Sequence, residues 1–303
     1  MTNPRTPPEI RKQIEDLALQ TYFRSTTSQY LATDLGRFLL GQHVWERYEQ
    51  ARYNLAPWVD RAAGLAGRRL VEIGCGTGSS TAGFASLAAR VDGYEISQVS
   101  VAMAQGRLQV LGIGNAAVHQ IDAESLMRAA CERHRGAVDG FLLFAVLEHM
   151  TIPERILALR MAWAELPPGG LLIVIETPNR LTYTDLHTAQ MPFFHMLPLE
   201  LAVQYYQHSK RPDFTASLDA VPAASRELAL ARWGNGVSFH EFDVALGAGV
   251  DGCIVADGFE PEVKWLQPPR LDDELLLRYF EAHPVGRHRA FTRNHLNFVL
   301  RKP

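Results

Sequence analysis

The sequence has few cysteines, little lysine and no long apolar run. Its three cysteines, Cys75, Cys131 and Cys253, are far apart and form no CxxC pair. This spacing favours a reducing compartment over a disulfide framework. The longest apolar run, FLLFAVL at 141–147, is far shorter than the roughly 20 residues that span a bilayer. The N-terminus has proline and charge where a secretory signal needs an apolar stretch. We therefore expect a cytoplasmic protein with no membrane span.

The charge balance gives no sign of a nucleic-acid partner. The net charge is −3 over 303 residues, and lysine is scarce beside arginine. A protein that binds nucleic acid usually has a clear basic excess. With 47% hydrophobic and 21% charged residues, the chain can build a full core as one large domain or two ordinary ones.

Short apolar runs alternate with amphipathic segments through the middle of the chain. Such alternation predicts parallel strands joined by helices. Two later segments predict a closing pair that includes an antiparallel strand. The sequence therefore predicts an α/β fold with a doubly wound, seven-stranded, mostly parallel sheet. Its expected strands are RRLVEIG (68–74), RVDGYEI (90–96), AAVHQID (116–122), VDGFLLF (138–144), GLLIVIE (170–176), DGFEPEVKWL (257–266) and HLNFVLRKP (295–303).

The flanking regions predict helices. We expect residues 1–67 to form an N-terminal helical segment, which is either a lid or a helix packed on the sheet. We expect residues 68–303 to form the main domain. Residues 177–235 are longer than a structureless loop should be, so we expect a helical cap there, with helices at 198–207 and 222–232. Aromatic residues in this cap indicate either an acceptor pocket or the cap's own small core.

Three glycines at alternate positions, Gly74, Gly76 and Gly78, follow the first strand in VEIGCGTG. Glycine at the carboxyl end of a strand lets a ligand approach the backbone and the next helix. The spacing is not the GxGxxG of a dinucleotide site, and the GK[ST] of a P-loop is missing. Glu72 would repel a pyrophosphate but suits a ligand that has an ammonium and a sulfonium. Glu95, at the end of the second strand, is placed to accept ribose hydroxyls.

The stretches VEIGCGTG, VDGYEIS, HQIDAESL, VDGFLLFAVLEHM and LPPGGLLIVIETPN occur in that order. Together they resemble the class I S-adenosylmethionine-dependent methyltransferases, and VLEHM followed by LPPGG resembles the small-molecule, ubiquinone-biosynthesis-like branch. The resemblance covers about the middle third of the chain and implies S-adenosylmethionine as the cofactor. It implies that Glu72 and the three glycines hold the methionine end and that Glu95 binds the ribose. It further implies that Ile96 flanks the adenine, that Asp122 and Ala123 bind its edge, and that Phe144 lines the cofactor pocket.

Asp122 has a second interpretation, since it could simply cap the following helix. Cys75 is expected to be a packing residue, because methyl transfer needs no thiolate.

Three histidines are candidates for a general base, since imidazole suits proton transfer near neutral pH. His187 is the first candidate, because it lies in a polar loop that enters an aromatic segment. His149 in VLEHM follows the fourth strand, and His195 lies near His187. Each could instead be a packing residue. A metal set of Asp185, His187, His195 and His208 matches no known ligand spacing, so we expect no metal.

The predicted function is transfer of a methyl group from S-adenosylmethionine to a small molecule or glycan, with a hydroxyl as the favoured acceptor. The alternatives are nitrogen or carbon methylation of a metabolite and, less favoured, a macromolecular acceptor. A nicotinamide dehydrogenase is disfavoured because it would need GxGxxG. The oligomeric state does not follow from the sequence.

Overall fold

A computed structural model describes residues 5–247, 249–283 and 287–303. It confirms the predicted fold class, a seven-stranded sheet in the order β3-β2-β1-β4-β5-β7-β6. Six strands are parallel, and the C-terminal strand is antiparallel. The strands are Arg69–Ile73 (β1), Arg90–Glu95 (β2), Ala116–Gln120 (β3), Gly140–Phe144 (β4), Leu171–Pro178 (β5), Ile254–Ala256 (β6) and His295–Arg301 (β7).

The register of the first three strands places the cofactor candidates at strand ends. Arg69 pairs with Arg90 and Ile73 with Tyr94 in the parallel β1–β2 ladder, and Glu95 pairs with Gln120 in the β2–β3 ladder. Strand β1 is buried from its second residue onward, as an almost continuously apolar strand predicts when it is covered on both faces.

The predicted strand at 257–266 is wrong. The pairing strand is Ile254–Ala256, just upstream, and Pro261–Leu266 is a helix. Pro261 has no N–H for a sheet ladder but suits the first turn of a helix. The Glu260 side chain accepts hydrogen bonds from the backbone N–H groups of Asp257 and Gly258, which folds the chain into a turn there. The predicted strand at 295–303 is confirmed as β7.

The chain forms two compact units. The first comprises the residues up to Leu142 together with Glu165–Leu171, and the second comprises Leu143–Ala164 and Leu172–Pro303. These units are defined by compactness and do not test the boundary predicted between residues 67 and 68, which stays a prediction.

The N-terminal helices of the first unit pack into its core. Tyr48 joins a buried cluster with Cys75 and Ala82, and a side chain at Gly83 would come within 2.5 Å of the Ala51 Cβ. Two π-helical turns, Gln42–Glu46 and Ala51–Leu55, interrupt these helices. The helices of this unit are Pro8–Gln20 (α1), Ser28–Leu31 (α2), Asp34–Gly41 (α3), Arg47–Gln50 (α4), Ala56–Ala63 (α5), Ser79–Phe84 (α6), Gln98–Val110 (α7) and Leu126–His134 (α8).

The second unit contains the helices predicted for residues 177–235, and these have their own core. Phe194, Tyr206 and Phe214 are buried there. These three aromatic residues therefore serve as core, whereas Phe193 and Tyr205 are exposed. The helices of this unit are Ile152–Glu165 (α9), Leu199–Tyr205 (α10), Pro212–Asp219 (α11), Arg226–Trp233 (α12), Phe239–Leu246 (α13), Pro261–Leu266 (α14) and Leu271–Ala282 (α15). Among the described residues, no helix has both the length and the apolar character needed to cross a membrane.

Candidate functional site

The glycine loop leaves β1 in a tight turn that only glycine adopts readily. Gly74, Gly76 and Gly78 all have positive φ values, of 69°, 52° and 75°. The Gly74 and Cys75 N–H groups both donate to the Tyr94 carbonyl, at 2.8 and 3.1 Å, which ties the loop to β2. An added Cβ at Gly76 would meet no other described atom within 4 Å. The loop thus presents open backbone at Gly76, where a ligand can approach.

Cys75 packs under this loop. Its side chain is buried, and a Cβ at Gly93 would come within 2.8 Å of its sulfur. Burial raises the pKa of the Cys75 thiol well above its ordinary value. The thiol therefore stays protonated, in keeping with the expected packing role.

Glu72 is fully buried beneath the start of α6. Its carboxylate accepts hydrogen bonds from the hydroxyls of Ser80 and Thr81. Burial raises the pKa of Glu72 to about 7, although both hydroxyl hydrogen bonds oppose the shift. Near neutral pH, this side chain therefore changes readily between its charged and neutral forms.

Glu95 ends β2 with its carboxylate turned toward the loop. One oxygen accepts from the Gly76 N–H at 2.9 Å, and the other from the Ile96 and Ser97 N–H groups at 2.9 and 2.8 Å. A carboxylate oxygen can accept more than one hydrogen bond, so the side chain is both fixed and able to take ribose hydroxyls. The structure thus brings Glu95 and Gly76 together.

The remaining cofactor-binding candidates differ in their exposure and hydrogen bonding. The Ile96 side chain is 53% exposed, which is unusual for isoleucine and leaves an apolar surface for a ring. Asp122 and Ala123 are exposed, and an Asp122 oxygen accepts from the Ser125 N–H at 2.8 Å. That bond closes the turn just before α8, whose N-cap residue is Ser125, so Asp122 does not cap the helix itself. Phe144 lies at the end of β4 and is half-buried.

Arg107 contacts the cofactor loop and was missed by the sequence reasoning. Its buried guanidinium donates to the carbonyls of Thr77 at 2.9 Å and Val44 at 3.0 Å, and also to that of His43. Arg107 therefore joins the first π-helical turn to the glycine loop. An arginine three residues after Ala104, on the apolar face of α7, was the available signal.

His149 and His187 come together in the second unit. Their ring centroids are 5.4 Å apart. The His149 Nδ1 lies 2.9 Å from the Arg232 carbonyl, so Nδ1 carries the hydrogen and Nε2 the lone pair. The Thr188 hydroxyl donates to the Gly234 carbonyl and therefore accepts from the His187 Nδ1, at 3.4 Å. In its neutral form, each ring therefore has its lone pair on Nε2.

Burial, with a further contribution from His149, lowers the pKa of His187 to about 4. His187 is therefore neutral throughout the physiological range. Gly234 lets its ring approach the backbone, since a Cβ there would lie 2.4 Å from the ring Cε1. Bulkier residues at 234 would displace the ring.

His195 forms hydrogen bonds that are separate from those of the His149–His187 pair. It is 3% exposed, and its Nε2 donates to the Thr182 carbonyl at 2.6 Å. Asp185, 3.8 Å from its Nδ1, accepts from the backbone N–H groups of His187, Thr188 and Ala189. Burial raises the pKa of Asp185, but these bonds and His195 outweigh it and leave the pKa lowered. The pair braces the loop that carries His187.

Glu148, His149 and His187 each place one potential ligand atom within 4.8 Å of the others, a spacing that a metal ion could use. This trio differs from the set weighed on the sequence, with only His187 in common.

The family comparison matches the part of the chain that contains the glycine loop and Glu95. Residues 70–170 match the family model of a methyltransferase domain. A ubiquinone biosynthesis O-methyltransferase from Cupriavidus pinatubonensis is 33% identical over 147 residues, which are 46% of this chain and 56% of that protein. One from Pseudomonas aeruginosa is 30% identical over 148 residues, covering 46% and 60%. The chain thus spans less than two thirds of these relatives' length.

Solved structures of methyltransferases are also similar. The S-adenosylmethionine-bound amino pentose methyltransferase CalS10 from Micromonospora echinaspora is 25% identical, covers 48% of this chain and 56% of that one, and has a TM-score of 0.36. Magnesium protoporphyrin IX methyltransferase from Synechocystis is 22% identical, covers 59% and 80%, and has a TM-score of 0.39.

Proposed function

We propose that the chain is a class I S-adenosylmethionine-dependent methyltransferase and that it methylates a hydroxyl of a small molecule or glycan. The observation that carries the proposal is the His149–His187 pair, in which each ring in its neutral form has its lone pair on Nε2. An imidazole lone pair can take the proton that a hydroxyl must lose. The O-methyltransferase relatives support oxygen as the methylated atom.

On the cofactor side, Glu95 would accept the ribose hydroxyls and Ile96 would flank the adenine. Asp122 and Ala123 would meet the adenine edge. Gly74, Gly76 and Gly78 would let the methionine end approach the backbone. From its buried position, Glu72 would attract the methionine end electrostatically, because the ammonium group of the cofactor favours the charged form of the carboxylate.

The reaction moves a methyl group that the sulfonium has already activated. When bound, S-adenosylmethionine would supply this methyl group: the acceptor oxygen would bond to the methyl carbon as the carbon–sulfur bond breaks, and S-adenosylhomocysteine would leave with the electron pair. The hydroxyl proton passes to the Nε2 of His187, with His149 as the second candidate. His195 would act as a positioning residue, since its Nε2 is bonded to a backbone carbonyl.

Nitrogen or carbon methylation of a metabolite is the alternative, and a macromolecular acceptor is less favoured. The small net charge supports the expectation of no nucleic-acid partner. All three cysteines are free thiols, which supports a reducing, cytoplasmic setting.

The test compares the His187→Ala variant with the parent protein. It measures how fast each transfers labelled methyl groups from S-adenosylmethionine into a size-fractionated cell extract. A lost general base should slow labelling about 10²–10⁴-fold, while the affinity for S-adenosylhomocysteine stays nearly unchanged. His208→Ala is the matched control, because His208 is an exposed histidine of the same segment. Equal labelling by His187→Ala and the parent protein would remove His187 from the mechanism.

A chelator arm separates a base from a metal ligand. If an imidazole takes the proton, a chelator should leave labelling unchanged. A loss that added divalent cation restores would assign Glu148, His149 and His187 to a metal instead.

A further inference from the structure

Arg155 lies at the centre of the loop that carries His149. It begins the second turn of α9 and is only 1% exposed. Its Nε donates to the carbonyls of Leu147 at 2.7 Å and Met150 at 3.0 Å, and its Nη2 to that of Glu148 at 3.2 Å. The guanidinium therefore holds the backbone on both sides of His149.

The same guanidinium also holds a second segment. Its Nη2 donates to the Asn235 carbonyl at 2.8 Å, and its Nη1 to the Gly236 carbonyl at 3.1 Å. This segment directly follows Gly234, the residue whose backbone the His187 ring approaches. The Asn235 N–H also donates to the Glu148 carbonyl at 2.8 Å, which joins the two segments directly.

The hydrogen bonds to these carbonyls require an arginine side chain, and another positively charged side chain would not replace it. Five N–H donors in a planar fork can serve carbonyls that lie in different directions. Lysine would keep the charge but offers a single nitrogen. Glu241 supplies the counter-charge, at 3.2 Å from Nη1, and this buried ion pair keeps the arginine's charge from being isolated in the core.

We propose that Arg155 is a positioning residue for the acceptor side, fixing the backbone at His149 against the backbone at His187 so that the two imidazoles stay together. Arg232 also joins His149 to α12, but from a side chain that is 44% exposed. The proposal rests on the proposed function, because the distance between these rings matters only if they act on the acceptor. A misplacement of about 1 Å can cost on the order of 10²-fold in rate.

The experiment compares histidine side-chain ¹H–¹⁵N NMR spectra of the full chain, titrated with acid, for the parent protein and Arg155→Lys. We expect the His149 and His187 signals to move and the titration midpoint of His187 to shift toward that of an exposed histidine. The dissociation constant of S-adenosylhomocysteine should stay within about twofold. Arg160→Lys is the matched control, because Arg160 is an exposed residue of the same helix that also donates to a backbone carbonyl, that of Val244. Its spectra should match those of the parent protein.

Unchanged His149 and His187 signals in folded Arg155→Lys would overturn the proposal. If that variant does not fold, Arg155→Gln combined with Glu241→Gln removes the fork without leaving a buried carboxylate, and the same changes are expected. Failure of the proposed function would appear in the methyl-transfer assay alone, since the NMR signals report ring positions without an acceptor.

Discussion

Replacing Glu72 with glutamine should stabilise the protein above neutral pH, because it removes a carboxyl group that is costly to ionise in the fold. Glutamine has nearly the same shape and can still hydrogen-bond to the hydroxyls of Ser80 and Thr81. The perturbation therefore changes the charge with little change in packing.

The magnitude follows from the pKa of Glu72, which burial raises from 4.5 to about 7. Below pH 4.5 the carboxyl is protonated in both states and contributes no difference. Between 4.5 and about 7 only the unfolded chain has lost the proton, so stability falls as the pH rises. Each pKa unit corresponds to about 1.4 kcal/mol, and the shift therefore predicts a loss of about 3 kcal/mol that is complete above pH 7.

The assay measures the free energy of unfolding of the parent protein and of Glu72→Gln in urea, between about pH 4 and 8, with tryptophan fluorescence as the probe. Trp58, buried in the same unit, reports on that unit. The two proteins should differ little near pH 4 and by about 3 kcal/mol near pH 8. Glu132→Gln, an exposed substitution on α8, is the control and should show no such trend. A stability difference that does not change with pH would refute the assignment of a raised pKa to Glu72.

Three further predictions concern the cofactor and acceptor sides. Glu95→Ala should weaken S-adenosylhomocysteine binding in calorimetry by about 10- to 100-fold, since charged hydrogen bonds contribute about 1.5–3 kcal/mol; an unchanged dissociation constant would overturn the ribose assignment. Gly234→Ala should slow methyl transfer by at least about tenfold, because its Cβ would collide with the His187 ring. Gly247→Ala imposes a similar positive φ with no described neighbour within 4 Å, and equal effects of the two would contradict the steric argument. Finally, a base must be neutral, so turnover at saturating S-adenosylmethionine should be lost only as the pH falls through about 4, the pKa of His187; an acid limb near the ordinary value of 6.5 under those conditions would exclude His187 in this environment.

Much of the cofactor side could be predicted from local sequence. Alternating glycines and acids at strand ends are local signals, because a turn after a strand and the end of the next strand are set by nearby residues. Glu95 and Gly76 accordingly lie within hydrogen-bond distance. The hydroxyls that hold Glu72 lie in the next turn, but nothing in the sequence distinguishes their role from helix packing.

The acceptor side depended on contacts between distant segments. His149 and His187 are brought together by Arg155, Arg232 and Gly234, and no periodicity links these positions. The misplaced strand at 257–266 has a local cause: the apolar alternation looked like a strand, whereas Pro261 begins a helix. Buried arginines such as Arg107 and Arg155 are hard to identify because arginine is usually exposed.

The central claim is that the methyl group goes to oxygen, and the most direct measurement is the carbon NMR spectrum of the product formed from S-adenosylmethionine labelled with ¹³C at the methyl group. The product would be taken from the protease- and nuclease-resistant, low-mass fraction of a treated extract. We predict the chemical shift of a methyl ether in that fraction. A methyl group bound to nitrogen or carbon, or label found only in protease- or nuclease-sensitive material, would contradict it.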